Sequence, residues 1–498
     1  MRTSIYFLVI GTLLITSCSS SKLYLLIEDT DIFNHSVASG DPTSSSVIIW
    51  TRLSGFDEPT NVKWQISKRQ DFASLGGEGM YSTSAEQDYT VKIDVPDLDP
   101  GTFYYYRFIL GKKVSQLGRT KTLSDADLES VKLGIVSCSN YEFGYFGAYH
   151  GLAEEDLDAI LHLGDYIYEY GPDKYGDKTF TRKHLPAHEI ISLEDYRTRY
   201  GQYREDEGLQ RAHQMHPFIT IWDDHEIAND SYRDGAQNHQ EDEGDFQTRK
   251  QIAKQVYYEW MPVRPQQNSE LYRSFAIGDM VDVIMLDERY TGREAPSENL
   301  EGADSERSML GSIQLSWLKN ELATSTAKWK VIGNQVIFSP CDLSVVRPDF
   351  PLNLDAWDGY AYERDDIRAF LADHDISDVV FVTGDTHASW AFDIPKIGTN
   401  HKDDELTCGV EIGTPSITSS NWNEREGVTD AMVQIGERAM TSQVPHLKYV
   451  NGRDHGYTIL TLGKEEGSAK WYYLDDMKVK KPNMSMAHEV VFQANKIK

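Results

Sequence analysis

From about Val131 onward the chain carries six short apolar runs, each closed by a residue that can bind a cation. Leu133-Gly134-Ile135-Val136 ends at Ser137-Cys138, and Ala159-Ile160-Leu161-His162-Leu163 ends at Gly164-Asp165. Phe218-Ile219-Thr220-Ile221-Trp222 runs into Asp223-Asp224-His225, and Val283-Ile284-Met285-Leu286 into Asp287. Lys330-Val331-Ile332 leads to Gly333-Asn334, and Val379-Val380-Phe381-Val382 leads to Gly384-Asp385-Thr386-His387. Continuous apolar runs of this length fit strands buried on both faces, alternating with helix-compatible polar stretches in an α/β fold. Sites in such sheets lie at the carboxyl ends of strands. One polar residue after a strand is ordinary turn chemistry. The same kind of ending on strand after strand points to a metal site of mixed hardness, with carboxylates for a hard cation and thiolate and imidazole for iron or zinc.

Residues before this region have a different texture. Ser46–Thr51, 61–66, Tyr89–Val95 and Phe103–Phe108 are short β-branched or alternating segments, with a Pro100-Gly101 turn between the last two. This pattern predicts a small immunoglobulin- or fibronectin-like β-sandwich over residues 33–125. The α/β domain then occupies 126–498.

The amino terminus reads as a targeting segment. Arg2 precedes an eleven-residue apolar run, Ile5 to Ile15, which is too short to span a bilayer needing ~20 residues. Ile15-Thr16-Ser17-Cys18 resembles a bacterial lipobox, so residues 1–17 are expected to be a signal peptide and 18–32 a tether lipidated at Cys18. The alternative is an ordinary secretory signal with an incidental cysteine. No acidic residue follows Cys18 directly, which by resemblance to Gram-negative lipoproteins favours the outer membrane, on its periplasmic or cell-surface face. Three cysteines remain after the leader: Cys138, Cys341 and Cys408. An odd number in an exported chain leaves at least one free, liganded or joined to another chain. Cys341 and Cys408 are expected to be a disulfide or two inert thiols.

Acidic residues outnumber basic ones, 78 to 49, for a net charge of −29. Loss of residues 1–17 removes Arg2 and gives 48 − 78 = −30. Such a chain has no general basic surface for nucleic acid.

Asp165-Tyr166-Ile167-Tyr168 places a carboxylate and a phenol three residues apart. A phenolate beside a carboxylate favours a ferric centre, while the competing reading of Tyr168 is a core aromatic. At this point the resemblance becomes specific. His35–Pro42, Ile49–Arg52, Ser137–Ser139, His162–Glu169, Trp222–Glu226, Leu286–Arg289, Trp357–Tyr360, Thr383–His387 and Gly456-Tyr457 occur in order. With them the chain resembles the PhoD-type alkaline phosphatases, within the calcineurin-like and purple-acid-phosphatase-like metallophosphoesterases, over about residues 33 to 462.

The resemblance implies a two-sheet metallophosphoesterase α/β sandwich behind the β-sandwich, with Fe(III) beside Ca(II). It implies Cys138, Asp165, Tyr168 and His387 on iron, Asp165 as a bridge, and Asp224 and Asp385 on calcium. Asn229 is a further candidate for calcium or phosphate. His225 would lie beside the phosphate, as general acid or as a histidine that only supports a ligand. Where the family pattern has an arginine three residues beyond the tyrosine ligand, this chain has Gly171. Arg182 and Arg289 are the candidate replacements. His488–Phe492 reads as a strand rather than as the helix the family can carry near its site. The implied activity is hydrolysis of phosphate mono- or diesters by metal-bound hydroxide. Its substrates would be small phosphate esters, or phospholipid or nucleotide diesters. Competing readings are a phosphodiesterase or phospholipase on the same site, and a surface lipoprotein adhesin with structural metals.

Overall fold

The computed structural model describes residues 26–265, 270–297, 306–346, 352–397 and 406–498. The leader and Cys18 lie outside them. Two large sheets form the body. A seven-stranded sheet runs in the spatial order Arg273–Ile277, Val281–Met285, Trp329–Gly333, Val379–Thr383, Thr407–Gly413, Ser389–Pro395 and Leu447–Asn451. A ten-stranded sheet contains Ser130–Val136, Ala159–His162 and Pro217–Thr220 in parallel at its centre. Antiparallel Gly456–Gly463, Gly467–Leu474 and Met484–Gln493 extend one side of it. His488–Phe492 therefore belongs to a strand, as the sequence reads.

The continuous apolar runs are buried on both faces. Val283, Val331 and Val380 join the core shared with Leu133, Ile135 and Ile160. Their chain neighbours Ile284, Ile332 and Phe381 turn to a second core on the outer face, with Leu318, Leu322 and Ile367 of the covering helices. Period-two alternation thus feeds two cores from one strand.

The β-sandwich has its own core, including Val47, Ile49, Val62, Ile66, Tyr106 and Phe108. Its six-stranded sheet comprises Ile27–Glu28, Lys113–Val114, Phe103–Leu110, Thr60–Ser67, Gly77–Thr83 and Gly118–Lys121. The opposing strands Val37–Gly40, Val47–Arg52 and Thr90–Val95 are also the edge of the ten-stranded sheet, through parallel pairing of Phe218 with Gly40. Val37 and Ile49 face the sandwich core, whereas Ala38 and Trp50 face the main core. A boundary at 125/126 is therefore a boundary along the chain and not in the hydrogen-bonded sheet. Strand alternation shows which face a residue occupies, not which distant strand it pairs with. A buried Arg273–Asp41 ion pair of 2.6 Å ties the two parts together.

Candidate metal centre

Four of the six strand ends bring their ligand-type residues together, at Cys138, Asp165, Asp223–His225 and Asp385–His387. Asp287 instead accepts from the Arg289 and Tyr290 N–H groups, and Asn334 accepts from Trp357 Nε1. Cys138, Asp165, Asp385 and His387 all have positive φ, between 54° and 60°. L-residues adopt this left-handed backbone at a cost, and such strain concentrates at functional sites. Gly164 explains one Gly-Asp pair: φ is 104°, and a Cβ there would lie 2.3 Å from Cβ of Asp223. Gly384 explains the other, because its Cβ would lie 2.8 Å from Ser137 Cβ. Each glycine lets two strand ends approach closely enough to pool their ligands.

Three groups of ligand atoms result, each with its members within 4.8 Å of one another: Cys138, Asp165 and His387; Asp165, Asp224 and His225; and Asp223, Asp224 and Asp385. Asp165 belongs to the first two and Asp224 to the last two, so the groups form one chain. The Tyr168 hydroxyl donates to Asp165 Oδ2 at 2.9 Å, accepts from Ser419 Oγ at 2.6 Å, and lies 3.3 Å from His387 Nε2. His387 Nδ1 is 3.0 Å from the Ser420 carbonyl, an arrangement that fixes the proton on Nδ1 and turns the Nε2 lone pair inward.

Asp165 Oδ1, Asp223 Oδ2 and Asp224 Oδ1 are buried without a hydrogen-bond partner. Buried polar atoms are seldom left unpaired, and three on neighbouring carboxylates suit bound cations. The titration behaviour agrees. Burial pushes the Cys138 thiol, the Tyr168 phenol and the Asp165 and Asp385 carboxyls well up. Asp223 is pushed to about 6, again mainly by burial. Asp224 is held at about 2, because Arg289 and His225 outweigh the opposing effect of burial. A cation reverses the local preference and favours the deprotonated donors.

His225 Nδ1 is 2.7 Å from Glu169 Oε2. Burial disfavours its charge, but Asp224, Glu169 and Asp165 outweigh that and raise the imidazole well above its usual range. Glu169 also accepts from the Asn229 N–H and from Asn238 Nδ2, both at 2.8 Å.

Arg289 is not placed as a phosphate clamp. It is fully buried; its Nε bonds Asp223, one terminal nitrogen is 2.7 Å from Asp355, and the other is 3.2 Å from Asp385 and 3.5 Å from Asp224. It holds these four carboxylates in place. Arg182 is also engaged elsewhere, 2.8 Å from Asp206 and stacked 3.6 Å over Tyr141. Gly171 packs against the backbone of His188, 3.0 Å from where its Cβ would be. The Asn229 side chain donates to Gln237 at 3.0 Å. Cys341 and Cys408 are both free, as is Cys138.

Asp223 had no assigned role in the sequence, although it stands beside Asp224 and completes the third group. Glu226 was equally silent. Its carboxylate accepts from the backbone N–H groups of Asp165, Tyr166 and Asp223 and so knits two strand-end turns together. Ser419 and Ser420 lie in a loop without a motif. A cleft of about 460 Å³ opens beside Asp385 and His387, walled by Tyr175, Trp390 and Trp422 among others.

Comparison with known proteins agrees with this geometry. The family model "PhoD-like phosphatase" matches residues 133–471, and "PhoD-like phosphatase, N-terminal domain" matches 21–124. The chain is 34% identical to alkaline phosphatase D of Bacillus subtilis (strain 168) over 469 residues, covering 88% of this chain and 77% of that protein. It superposes on a solved structure of PhoD with a TM-score of 0.81 at 31% identity, covering 93% of this chain and 90% of the other. Purple acid phosphatase PPD1 from yellow lupin (Lupinus luteus) seeds shares the fold, with a TM-score of 0.56 at 11% identity over 92% of this chain and 73% of that one. The chain belongs to the PhoD-like phosphatase family and is a hydrolase of phosphoric ester bonds.

Proposed function

We propose that this phosphatase works with Fe(III) held by Cys138, Asp165, Tyr168 and His387, and Ca(II) held by Asp165, Asp223, Asp224 and Asp385. The observation that carries the reading is the position of Asp165. It is shared between the group with Cys138 and His387 and the group with Asp224 and His225, and Asp224 in turn joins the all-carboxylate group with Asp223 and Asp385. The chain of ligands thus runs from thiol and imidazole to carboxylates and suits a softer and a harder cation side by side. Held by these residues, two such ions would supply charge neutralisation for the phosphate, an activated water and alignment for displacement. The chain's own residues supply the rest. Glu169 orients His225 through Nδ1, which leaves the Nε2 proton for the leaving oxygen. Ser419 and Ser420 fix Tyr168 and His387. Tyr175 and Trp422 wall the cleft.

In this reading the substrates are small phosphate mono- or diesters, and the acidic chain offers nucleic acid no general basic surface. The lipobox-like Ile15–Cys18 supports export and anchoring at the outer membrane through lipid. Among the described residues, no helix is long and apolar enough to cross a membrane. Elemental analysis of the purified protein, together with phosphate release from a monoester and a diester, tests the reading. Full activity without iron would overturn the iron assignment.

A further inference from the structure

Two carboxylates, Asp358 and Asp385, line this cleft, and a cationic side chain there would share with the metals the task of receiving the phosphate oxygens. Arg289 and Arg182 are both committed to carboxylates. Arg425 is the only lysine or arginine among the described residues lining the cleft beside Asp385 and His387. It is exposed, and its side chain makes no hydrogen bond or ion pair with another described residue.

The base of Arg425 is fixed although its head is free. It caps the short helical turn Trp422–Glu424, with its N–H toward the Trp422 carbonyl. Glu424 is pinned by the Asn421 N–H at 2.9 Å and by His455 Nε2 at 3.2 Å. Trp422 packs edge-on against Trp390, with ring centroids 5.5 Å apart. A few residues upstream, Ser419 and Ser420 hold Tyr168 and His387. One strap of chain therefore both orients two candidate iron ligands and presents a free guanidinium to the same cleft.

We propose that Arg425 binds the phosphoryl oxygens of the substrate and supplies the cationic grip that neither Arg289 nor Arg182 can give. A guanidinium matches phosphate with paired N–H donors. The inference rests on the phosphatase reading. Tyr175 lines the same cleft as Arg425, with its hydroxyl 3.4 Å from His387 Nδ1.

The test uses the metal-loaded protein and inorganic phosphate as the probe. Arg425→Ala should weaken phosphate binding, followed both by calorimetry and as competitive inhibition, by about tenfold or more, the scale of a lost hydrogen bond to a charged group. KM for a phosphomonoester should rise with it. Arg425→Lys should recover part of the loss, and Arg425→Glu should do worse than Ala. Metal content and melting temperature should not change, since the side chain is exposed and unpaired. Unchanged phosphate binding in Arg425→Ala would overturn the inference, and so would a loss fully explained by lost metal. A wild type that binds phosphate through Arg425 but holds metals other than iron and calcium would instead overturn the proposed metal pair and leave this inference standing.

Discussion

His225 and Glu169 form a buried pair, with Nδ1 2.7 Å from Oε2 and neither residue more than 7% exposed. The pairing ties Nδ1 to the carboxylate, so Nε2 is the nitrogen left to act. A general acid is needed by an alkoxide leaving group and scarcely by a nitrophenolate, and contributes ~10²–10⁴-fold where needed. His225→Asn should therefore lower kcat heavily for an alkyl phosphate and much less for an activated aryl phosphate, with metals retained. Glu169→Gln should show the same bias more weakly and shift the alkaline limb of the alkyl-phosphate profile to lower pH, because the carboxylate that favours the imidazolium has gone. Equal losses on the two esters would mean that His225 only positions phosphate or supports the ligands.

Cys138 is fully buried at a strand end with positive φ, and its group includes Asp165 and His387. Purified protein should be coloured by charge transfer from phenolate or thiolate to iron. Cys138→Ser should lose iron, colour and most activity while keeping its circular dichroism spectrum. The double change Cys341→Ala and Cys408→Ala should keep metal content, since neither cysteine belongs to any of the three groups. A colourless wild type that is fully active would refute the ferric reading.

Cys18 should carry lipid. A diacylglycerol with an amide-linked chain exceeds the single lipid that gives only marginal anchoring. Cys18→Ala should leave the leader uncleaved or shift the protein to the soluble fraction. Normal processing with membrane retention would contradict the anchor.

The strand endings made much of the candidate site legible, because Cys138, Asp165, Asp224, Asp385 and His387 each follow a short apolar run that fits a buried strand, although Asp287 and Asn334 end such runs too and join none of the three groups. Arg289 was misleading for a physical reason. An arginine beside a phosphatase motif suits phosphate as well as it suits carboxylates, and only the converging positions of Asp223, Asp355 and Asp385 decide between them. Ser419 and Ser420 act through one hydroxyl and one backbone carbonyl, which leave no periodicity or spacing to detect. The sheet shared across the two domains was hidden for the same kind of reason, since Gly40 meets Phe218 far along the chain.

Several histidines outside the metal groups are buried and held neutral. Burial lowers His216 to about 4, His162 to about 3 and His35 to about 2. The unfolded chain binds these protons near pH 6.5 and the folded chain does not. Stability from this source is therefore complete above about pH 6.5 and is lost as pH falls toward each folded value. The melting temperature should drop steadily from about pH 6.5 to 4. His216→Gln should flatten part of that slope, and a profile that is level over this range would exclude the histidines as its source.

Arg289 offers the sharpest contrast between two roles. Its guanidinium faces Asp223, Asp224, Asp355 and Asp385 and has no exposed surface. Removing one partner of a buried ionic group leaves uncompensated charge and costs about 3–5 kcal/mol. Arg289→Met should therefore lower the melting temperature of the metal-free protein markedly. Added calcium should restore part of the loss by neutralising the same carboxylates. A phosphate clamp predicts the opposite pattern, with an unchanged melting temperature and a raised KM. Urea unfolding of wild type and Arg289→Met, each with and without calcium, separates the two, because only the ligand-holding role makes the cost of the substitution depend on calcium.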